Sequence, residues 1–265
     1  GGEYTVDIGT AGSVTLLFDT LLPLATMLES PLSVTVTGGT DVAWSPPLDY
    51  FRYVKLPLFR RFGLAAAFEV DRRGFYPDGG GRATLQLAPS DLERIDLVDR
   101  GPVESLRLYS TESASLADRD VAHRQAEGAL ERLDRETVPT LAERCETTAY
   151  SACPGCALVV RLDHGTGVAG FSALGERDTP AERVGEDAAD AALQFLEGTA
   201  PVDRHMADQL LVALAVAGGQ VRVPTVTDHV ETGCRLLEGF GIDVDREEDG
   251  ETTVVSVPSP LFAAP

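Results

Sequence analysis

Lysine is almost missing from this chain: of 22 basic residues in 265, Lys55 alone is a lysine and the rest are arginines. Acidic residues number 42, which leaves a formal charge of −20. A diffuse acidic excess that avoids lysine points to a halophile-type protein suited to molar salt, where self-repulsion is screened. It also excludes a broad basic face. Any contact with a nucleic acid has to be local and made by a few arginines.

Long hydrophobic runs are lacking too. No stretch approaches the roughly 18 uninterrupted apolar residues of a membrane span, and residues 1–4 (GGEY) show neither the basic nor the apolar region of a secretory signal. The chain is expected to be cytoplasmic, with no membrane partner. An initiator Met is also missing, so the sequence is expected to begin partway through a longer protein. Cysteine is scarce, at four residues: Cys145, Cys153, Cys156 and Cys234. Cys153 and Cys156 frame a Cys-Pro-Gly-Cys string that resembles a redox pair. Thioredoxin-type sites follow that string with a helix, whereas here the apolar, strand-like run from Ala157 to Leu162 follows. No second pair stands at zinc-finger spacing, so no metal site is assigned. The Pro-Gly is read as a turn before a strand.

What remains is ordinary globular material, 43% hydrophobic and 24% charged, enough for one large domain or two smaller ones. Its elements come in order. Tyr4 to Ile8 reads as a strand, and Ser13 to Met27 as a helix through Leu16, Leu17, Leu21 and Leu24. Ser33 to Val36 is a strand closed by Gly38 and Gly39; Leu48 to Phe62 has helical period, with Gly63 as its stop. Strands Ala65 to Val70 and Arg82 to Leu87 complete a βαβαββ unit.

The end of the chain repeats it. Asp203 can cap a helix through Met206, Leu210, Leu211 and Leu214 that Gly218-Gly219 terminates. Gln220 to Val226 is a strand, Thr227 or Asp228 caps a helix from His229 to Phe240, and Ile242 to Asp245 pairs with Thr252 to Val257. This is αβαββ, and the missing first strand is expected near Leu97 or at Leu106 to Leu108. The middle fits neither copy. It carries strands at Ser105 to Ser110, Glu146 to Ser151 and Ala157 to Leu162, and helices at Leu116 to Leu133 and Ala181 to Leu196. The expected fold class is therefore α/β (α+β), a repeat-built domain over 1–102 and 200–265 with a small α/β domain inserted at 103–199.

Four strings, Asp7 to Thr15 (DIGTAGSVT), Gly38 to Asp41 (GGTD), Arg73 to Gly81 (RGFYPDGGG) and His205 to Leu210 (HMADQL), in this order around an inserted module, resemble the RNA 3′-terminal phosphate cyclase family. The resemblance covers essentially the whole chain. It implies βαβαββ repeats like those of EPSP synthase, with one complete further repeat ahead of the segment that opens this chain. It also implies a ligase activity in which ATP, with Mg²⁺ or Mn²⁺, adenylylates a histidine. AMP then passes to an RNA 3′-phosphate end, which closes to a 2′,3′-cyclic phosphate.

By the same resemblance His229 falls at the nucleophile's position. A residue that follows a strand and opens a helix faces free N–H groups and the positive end of the helix dipole, which disfavours imidazolium and attracts phosphate. Asp208 and Gln209 match the family's nucleotide-contacting Asp-Gln pair. His205, one turn earlier, takes a position that stacks on adenine in relatives. Phe171 lies at or beside a position that walls the adenine, though a core phenylalanine fits as well. Asp19 stands where many relatives have Gln beside the nucleotide, and an acid there is unfavourable unless a metal or high salt intervenes. Arg52, Arg72 and Arg73 are candidates for RNA phosphates by charge alone. The Gly79-Gly80-Gly81 run lacks the Lys-Ser/Thr of a P-loop and reads as a hairpin turn. His123 and His164 receive no role. Two other readings accept the family: a cyclase-like protein that has lost catalysis and serves ribosome assembly, which His229 argues against, and an inactive truncated fragment.

Overall fold

The computed structural model describes residues 1–133, 140–259 and 261. Its strands form three four-stranded sheets. In the first, β1 (Gly2–Asp7) runs parallel to β2 (Leu32–Gly38), and β2 and β3 (Ala66–Arg72) both pair antiparallel with β4 (Gly81–Leu87). Between them lie α1 (Val14–Leu21) and a second helical run. That run consists of α2 (Leu48–Tyr50), a π turn over Phe51–Lys55 and α3 (Leu56–Arg61).

The second sheet copies this topology. β5 (Ile95–Leu97) runs parallel to β10 (Gly219–Val223), and β10 and β11 (Asp245–Asp249) pair antiparallel with β12 (Thr252–Val257). Its helices are α6 (Arg204–Gln209) with α7 (Leu211–Ala217), and α8 (Asp228–Gly239). The missing first strand is thus the one near Leu97. Val34, Val36, Leu85, Val221 and Val255, all buried, belong to one apolar core that the two sheets share. Burying both sheets' inner faces together is what lets each small unit escape its own poor surface-to-volume ratio.

The chain between β5 and α6 builds the third sheet, in the order β7-β6-β8-β9. Its strands are β6 (Val103–Ser113), β7 (Leu141–Ala149), β8 (Cys156–His164) and β9 (Gly167–Leu174). Helices α4 (Val121–Arg132) and α5 (Ala181–Glu197) pack on one face of it, where Leu108, Leu158, Val160, Ala188 and Ala192 form a second core.

Several boundaries differ from the sequence expectation, each for a local reason. The Ser13 to Met27 helix stops at Leu21, where Pro23 enters a 3₁₀ turn over Leu22–Met27. Pro224 ends β10 at Val223, ahead of the expected Val226. The Leu116 to Leu133 helix breaks at Asp120, whose φ of 50° sits in the left-handed region, leaving a 3₁₀ turn over Ala114–Arg119 before α4. Ile242 does not start the closing hairpin. Its N–H donates to Leu237 O (3.1 Å) to close α8, so the strand begins only at Asp245. The strand expected at Glu146 to Ser151 lies earlier, at Leu141–Ala149. β9 escaped the sequence reading altogether, because Gly-Val-Ala-Gly-Phe-Ser carries little β-branched or aromatic weight.

Candidate active site

Four helical elements bring the candidate residues together, and one buried carboxylate holds two of those elements in place. Asp203 caps α6: its Oδ1 accepts from the N–H groups of His205 and Met206, both at 2.9 Å. The Tyr50 hydroxyl donates to both of its oxygens, at 2.8 and 3.0 Å, and Gly170 N–H donates to Oδ2 at 3.0 Å. Asp203 therefore ties α6 to α2 and to β9 at once. Gly170 is required there by close approach, since a Cβ would stand 2.5 Å from Val54 Cγ2 and 2.9 Å from the Tyr50 ring.

With α6 fixed, the 3.6-residue period puts His205, Asp208 and Gln209 on one face. His205 is exposed; Asp208 and Gln209 are half-buried. α8 packs against α6. Its cap is Thr227, whose side chain accepts from Val230 N–H at 3.2 Å, so His229 stands in the first turn and is exposed. Burial pushes the Asp208 carboxyl above the usual carboxylate range. Its own N–H, then the imidazoles of His229 and His205, then the Lys55 ammonium pull it back. The carboxylate of α6, the helix-mouth histidine and a buried lysine thus share one electrostatic neighbourhood.

That lysine received no site role from the sequence. Lys55, only 3% exposed, places Nζ 2.7 Å from Asp19 Oδ1 on α1. Burial lowers the Lys55 ammonium and raises the Asp19 carboxyl; each partner offsets the other's shift, while Asp208 adds to the rise of Asp19 and works against the fall of Lys55. Asp19 Oδ1 is ion-paired to that ammonium and makes no further hydrogen bond. The Oε1 of Gln209 is buried with no hydrogen-bond partner. Unfilled acceptors around a half-open cluster are what a polar ligand would fill.

Phe171 does not join them. Strand alternation puts it on the face of β9 opposite Gly170, where it is 7% exposed and packs against Phe195 at 5.3 Å beneath α5. Core packing accounts for Phe171, the second of the two readings that its sequence position allowed.

The profile of the RNA 3′-terminal phosphate cyclase family matches residues 1–244. This chain belongs to that family. Among curated members named RNA 3′-terminal phosphate cyclase, it is 50% identical to the one from Halobacterium salinarum over 256 residues, 96% of this chain and 73% of the relative. It is 38% identical to the Pyrobaculum neutrophilum protein over 243 residues, 90% of this chain and 69% of that one. The Pyrococcus furiosus protein is 36% identical over 240 residues, 91% of this chain and 69% of the relative.

Within this cyclase-family chain several other candidates have structural explanations. The Gly-rich strings pack backbone to backbone, Gly39 accepting from Val14 N–H at 2.8 Å and donating to Gly12 O at 2.8 Å, and a Cβ on Gly39 would meet Ala11 O at 2.4 Å. Gly79 and Gly80, at φ 61° and 66°, turn the chain back into β4. Arg73 is buried in its own ion network. Cys153 and Cys156 are free thiols, and the Cys153 thiol donates to Phe75 O at 3.3 Å. Burial pushes the Cys156 thiol up to about 11, away from a reactive thiolate. His164 is buried, accepting from Gly167 N–H at 3.1 Å and donating to Pro201 O at 2.9 Å. Among the described residues no group of three or more His, Cys, Asp or Glu could hold a metal ion, and no helix is long and apolar enough to cross a membrane. Asp208, with no ion-pair partner within bonding distance among them, fits a Mg²⁺ that draws most of its ligands from phosphate and water.

Proposed function

We propose that this chain converts an RNA 3′-phosphate end to a 2′,3′-cyclic phosphate, using ATP, through a covalent histidine–AMP intermediate on His229. The observation that carries the reading is the convergence of an exposed imidazole at the mouth of α8 with Asp208, Gln209 and His205 on one face of α6. A bare phosphate monoester has no adequate leaving group, and a covalent adduct divides the work.

An imidazole nitrogen of His229 attacks the α-phosphorus of ATP. A P–N bond forms, the P–O bond to pyrophosphate breaks, and the ring's N–H proton leaves to solvent. An oxygen of the RNA 3′-phosphate then attacks the same phosphorus, breaking the P–N bond and restoring the histidine. The neighbouring 2′-hydroxyl oxygen attacks the RNA phosphorus, its proton goes to solvent, and AMP departs with the cleaved anhydride bond. The free N–H groups of α8 attract the phosphates, and Gln209 offers its unfilled acceptor to a nucleotide donor such as the adenine amino group. His205 offers a ring to stack on the base. Asp208 would hold a Mg²⁺ or Mn²⁺ ion, which supplies neutralising charge at the triphosphate when bound.

We further read residues 1–102 and 200–265 as the repeat-built domain and 103–199 as its insert, and place the protein in the cytoplasm of a cell at high internal salt. The test is incubation with α-labelled ATP and magnesium at high salt. An acid-labile protein–AMP adduct that disappears in His229→Ala is expected. Label that survives the substitution, or no label on the wild-type chain, would sink the reading.

A further inference from the structure

A cleft of about 220 Å³ opens where the second helical run and the end of β3 meet the edge of the third sheet. Its lining includes Arg52, Tyr53, Arg72, Tyr109 and Tyr150. It is smaller than the roughly 300–1,000 Å³ of sites that enclose a whole small ligand. A cleft of this size suits one unit of a longer chain lying across it.

Charge sets it apart from the rest of the molecule. In a protein of net −20, most arginines are bound to carboxylates or to carbonyls. Among the described residues, neither the Arg52 nor the Arg72 guanidinium has an ion-pair partner or a hydrogen bond. Both acids of the lining already have cationic partners of their own. Asp49 pairs with Arg73 at 2.5 Å and accepts from Thr111 at 3.0 Å, and Asp71 pairs with Arg82 at 3.2 Å. Two uncommitted guanidinium groups therefore share one concavity with no free carboxylate to quench them. A guanidinium in that state matches a phosphate.

The geometry is also prepared. The Arg52 guanidinium lies 4.9 Å over the Tyr53 ring, and Tyr53 stacks on Tyr109 with centroids 3.8 Å apart and planes 4° from parallel. This ladder holds Arg52 at a fixed height and so reduces the ordering cost of binding. Tyr150, 71% exposed, has its backbone pinned because its carbonyl accepts from Arg73 N–H at 3.2 Å. The loop that follows is docked through Cys153 on Phe75 O and through Gly155, where a Cβ would stand 2.1 Å from the Phe75 ring. Tyr150 is thus a large aromatic ring, exposed to solvent, on an anchored backbone. Arg52 and Tyr53 lie in the π turn over Phe51–Lys55, a distortion often found at functional sites. Lys55 of the nucleotide cluster belongs to the same turn, about 4.5 Å farther along the axis at ordinary helical rise.

We propose that this cleft binds one nucleotide of single-stranded RNA upstream of the reacting 3′ end, with Arg52 and Arg72 on phosphodiester oxygens and Tyr150 stacked on the base. The proposal rests on the reading of the chain as an RNA-acting enzyme and adds a subsite to it. Stacking on an aromatic ring tolerates every base, so the site reads strand and not sequence. It also survives salt better than charge does, which suits so acidic a protein.

Binding of a labelled single-stranded RNA of about twelve nucleotides, within the site sizes of single-strand binders, is measured by fluorescence anisotropy across a potassium chloride series without ATP. Self-adenylylation with ATP alone is measured in parallel. Arg52→Gln/Arg72→Gln is expected to weaken RNA binding about tenfold and to flatten the log–log salt slope by about 1.4, or 0.7 per phosphate. Tyr150→Ala is expected to weaken it roughly five- to a hundredfold, with Tyr150→Phe near wild type. Self-adenylylation stays within about twofold in all three, and Arg177→Gln, an exposed arginine elsewhere, changes neither readout. The subsite is overturned if the wild type has no affinity for the RNA, if the cleft variants bind it normally, or if Arg177→Gln weakens binding as much. It is equally overturned if the cleft variants raise the KM for ATP, which would assign the cleft to the nucleotide. RNA binding that falls in the cleft variants while no wild-type adenylate forms would sink the catalytic reading and leave the subsite standing.

Discussion

Two buried charge clusters flank the same helical run, and they are built in opposite ways. On one side Arg73 donates to both oxygens of Asp41 at 3.1 Å, pairs with Asp49 at 2.5 Å and donates to Thr111 at 3.3 Å. Asp41 also accepts from Thr40 at 2.7 Å and from Leu48 N–H at 3.2 Å, and Thr111 donates on to Asp49. Every charge there has a partner and none faces solvent. On the other side, Asp19, Lys55, Asp208 and Gln209 are half-open, with two acceptors unfilled. The first cluster has used its hydrogen-bonding capacity to join the first sheet to the third. The second has kept some back. Completeness separates charge that serves the fold from charge that serves a ligand.

The largest effect should come from breaking the complete cluster. Burial works against the Arg73 charge, but Asp41 and Asp49 outweigh it and hold the guanidinium above its ordinary range. Arg73→Met leaves two carboxylates buried without their cation, a loss of about 3–5 kcal/mol. Urea titration should show it as a lower midpoint, whereas His229→Ala should leave the midpoint unchanged. If the two variants unfolded at the same urea concentration, the contrast between the clusters would be wrong.

His164 sharpens the same contrast with pH. Burial pushes its imidazole down to about 4, while the bond to Pro201 O works the other way. A base whose folded value is depressed contributes stability that is present above the ordinary value near 6.5 and lost as pH falls toward 4. The drop across that window is about 3 kcal/mol at 1.36 kcal/mol per unit. Stability curves of His164→Gln should be flatter there, and self-adenylylation per folded molecule should match the wild type. An unaltered pH slope would mean that the buried ring does not titrate as its surroundings require.

How far the sequence carried can be judged residue by residue. The repeat was legible because helical and strand periods alternate cleanly and glycines punctuate them, and Asp203 was recognised as a cap from its place before an apolar run. Its bonds to Tyr50 and Gly170 were not legible, since residues 153 and 33 positions away have no local signature. Phe171 looked the same as a core residue or a ligand wall until strand alternation chose a face. Lys55 did leave a mark: a composition that removes lysine everywhere else makes the one retained, between Val54 and Leu56, conspicuous. Its partner Asp19 was flagged as an acid needing compensation, and the compensation proved to be this lysine.

The smallest stability change, and the most informative about the nucleotide site, is expected from Lys55→Met. Removing the ammonium leaves Asp19 mostly buried beside Asp208, and burial already raises its carboxyl. The carboxyl sheds that cost by taking a proton only as pH falls, so near neutral pH, where it stays ionised, the loss is about 1–2 kcal/mol. A carboxyl whose folded value is raised contributes stability present below the ordinary range near 4 and lost as pH rises through the folded value. The variant should therefore approach wild-type stability in acid and fall behind it toward neutral pH. Self-adenylylation should drop about tenfold at neutral pH, because a negative charge would then face the incoming triphosphate without its counter-ion. Asp19→Asn/Lys55→Met removes both charges and should recover most of that activity, which loss of packing alone could not do. If the double variant were no better than the single one, Lys55 would be acting on the nucleotide directly and not through Asp19.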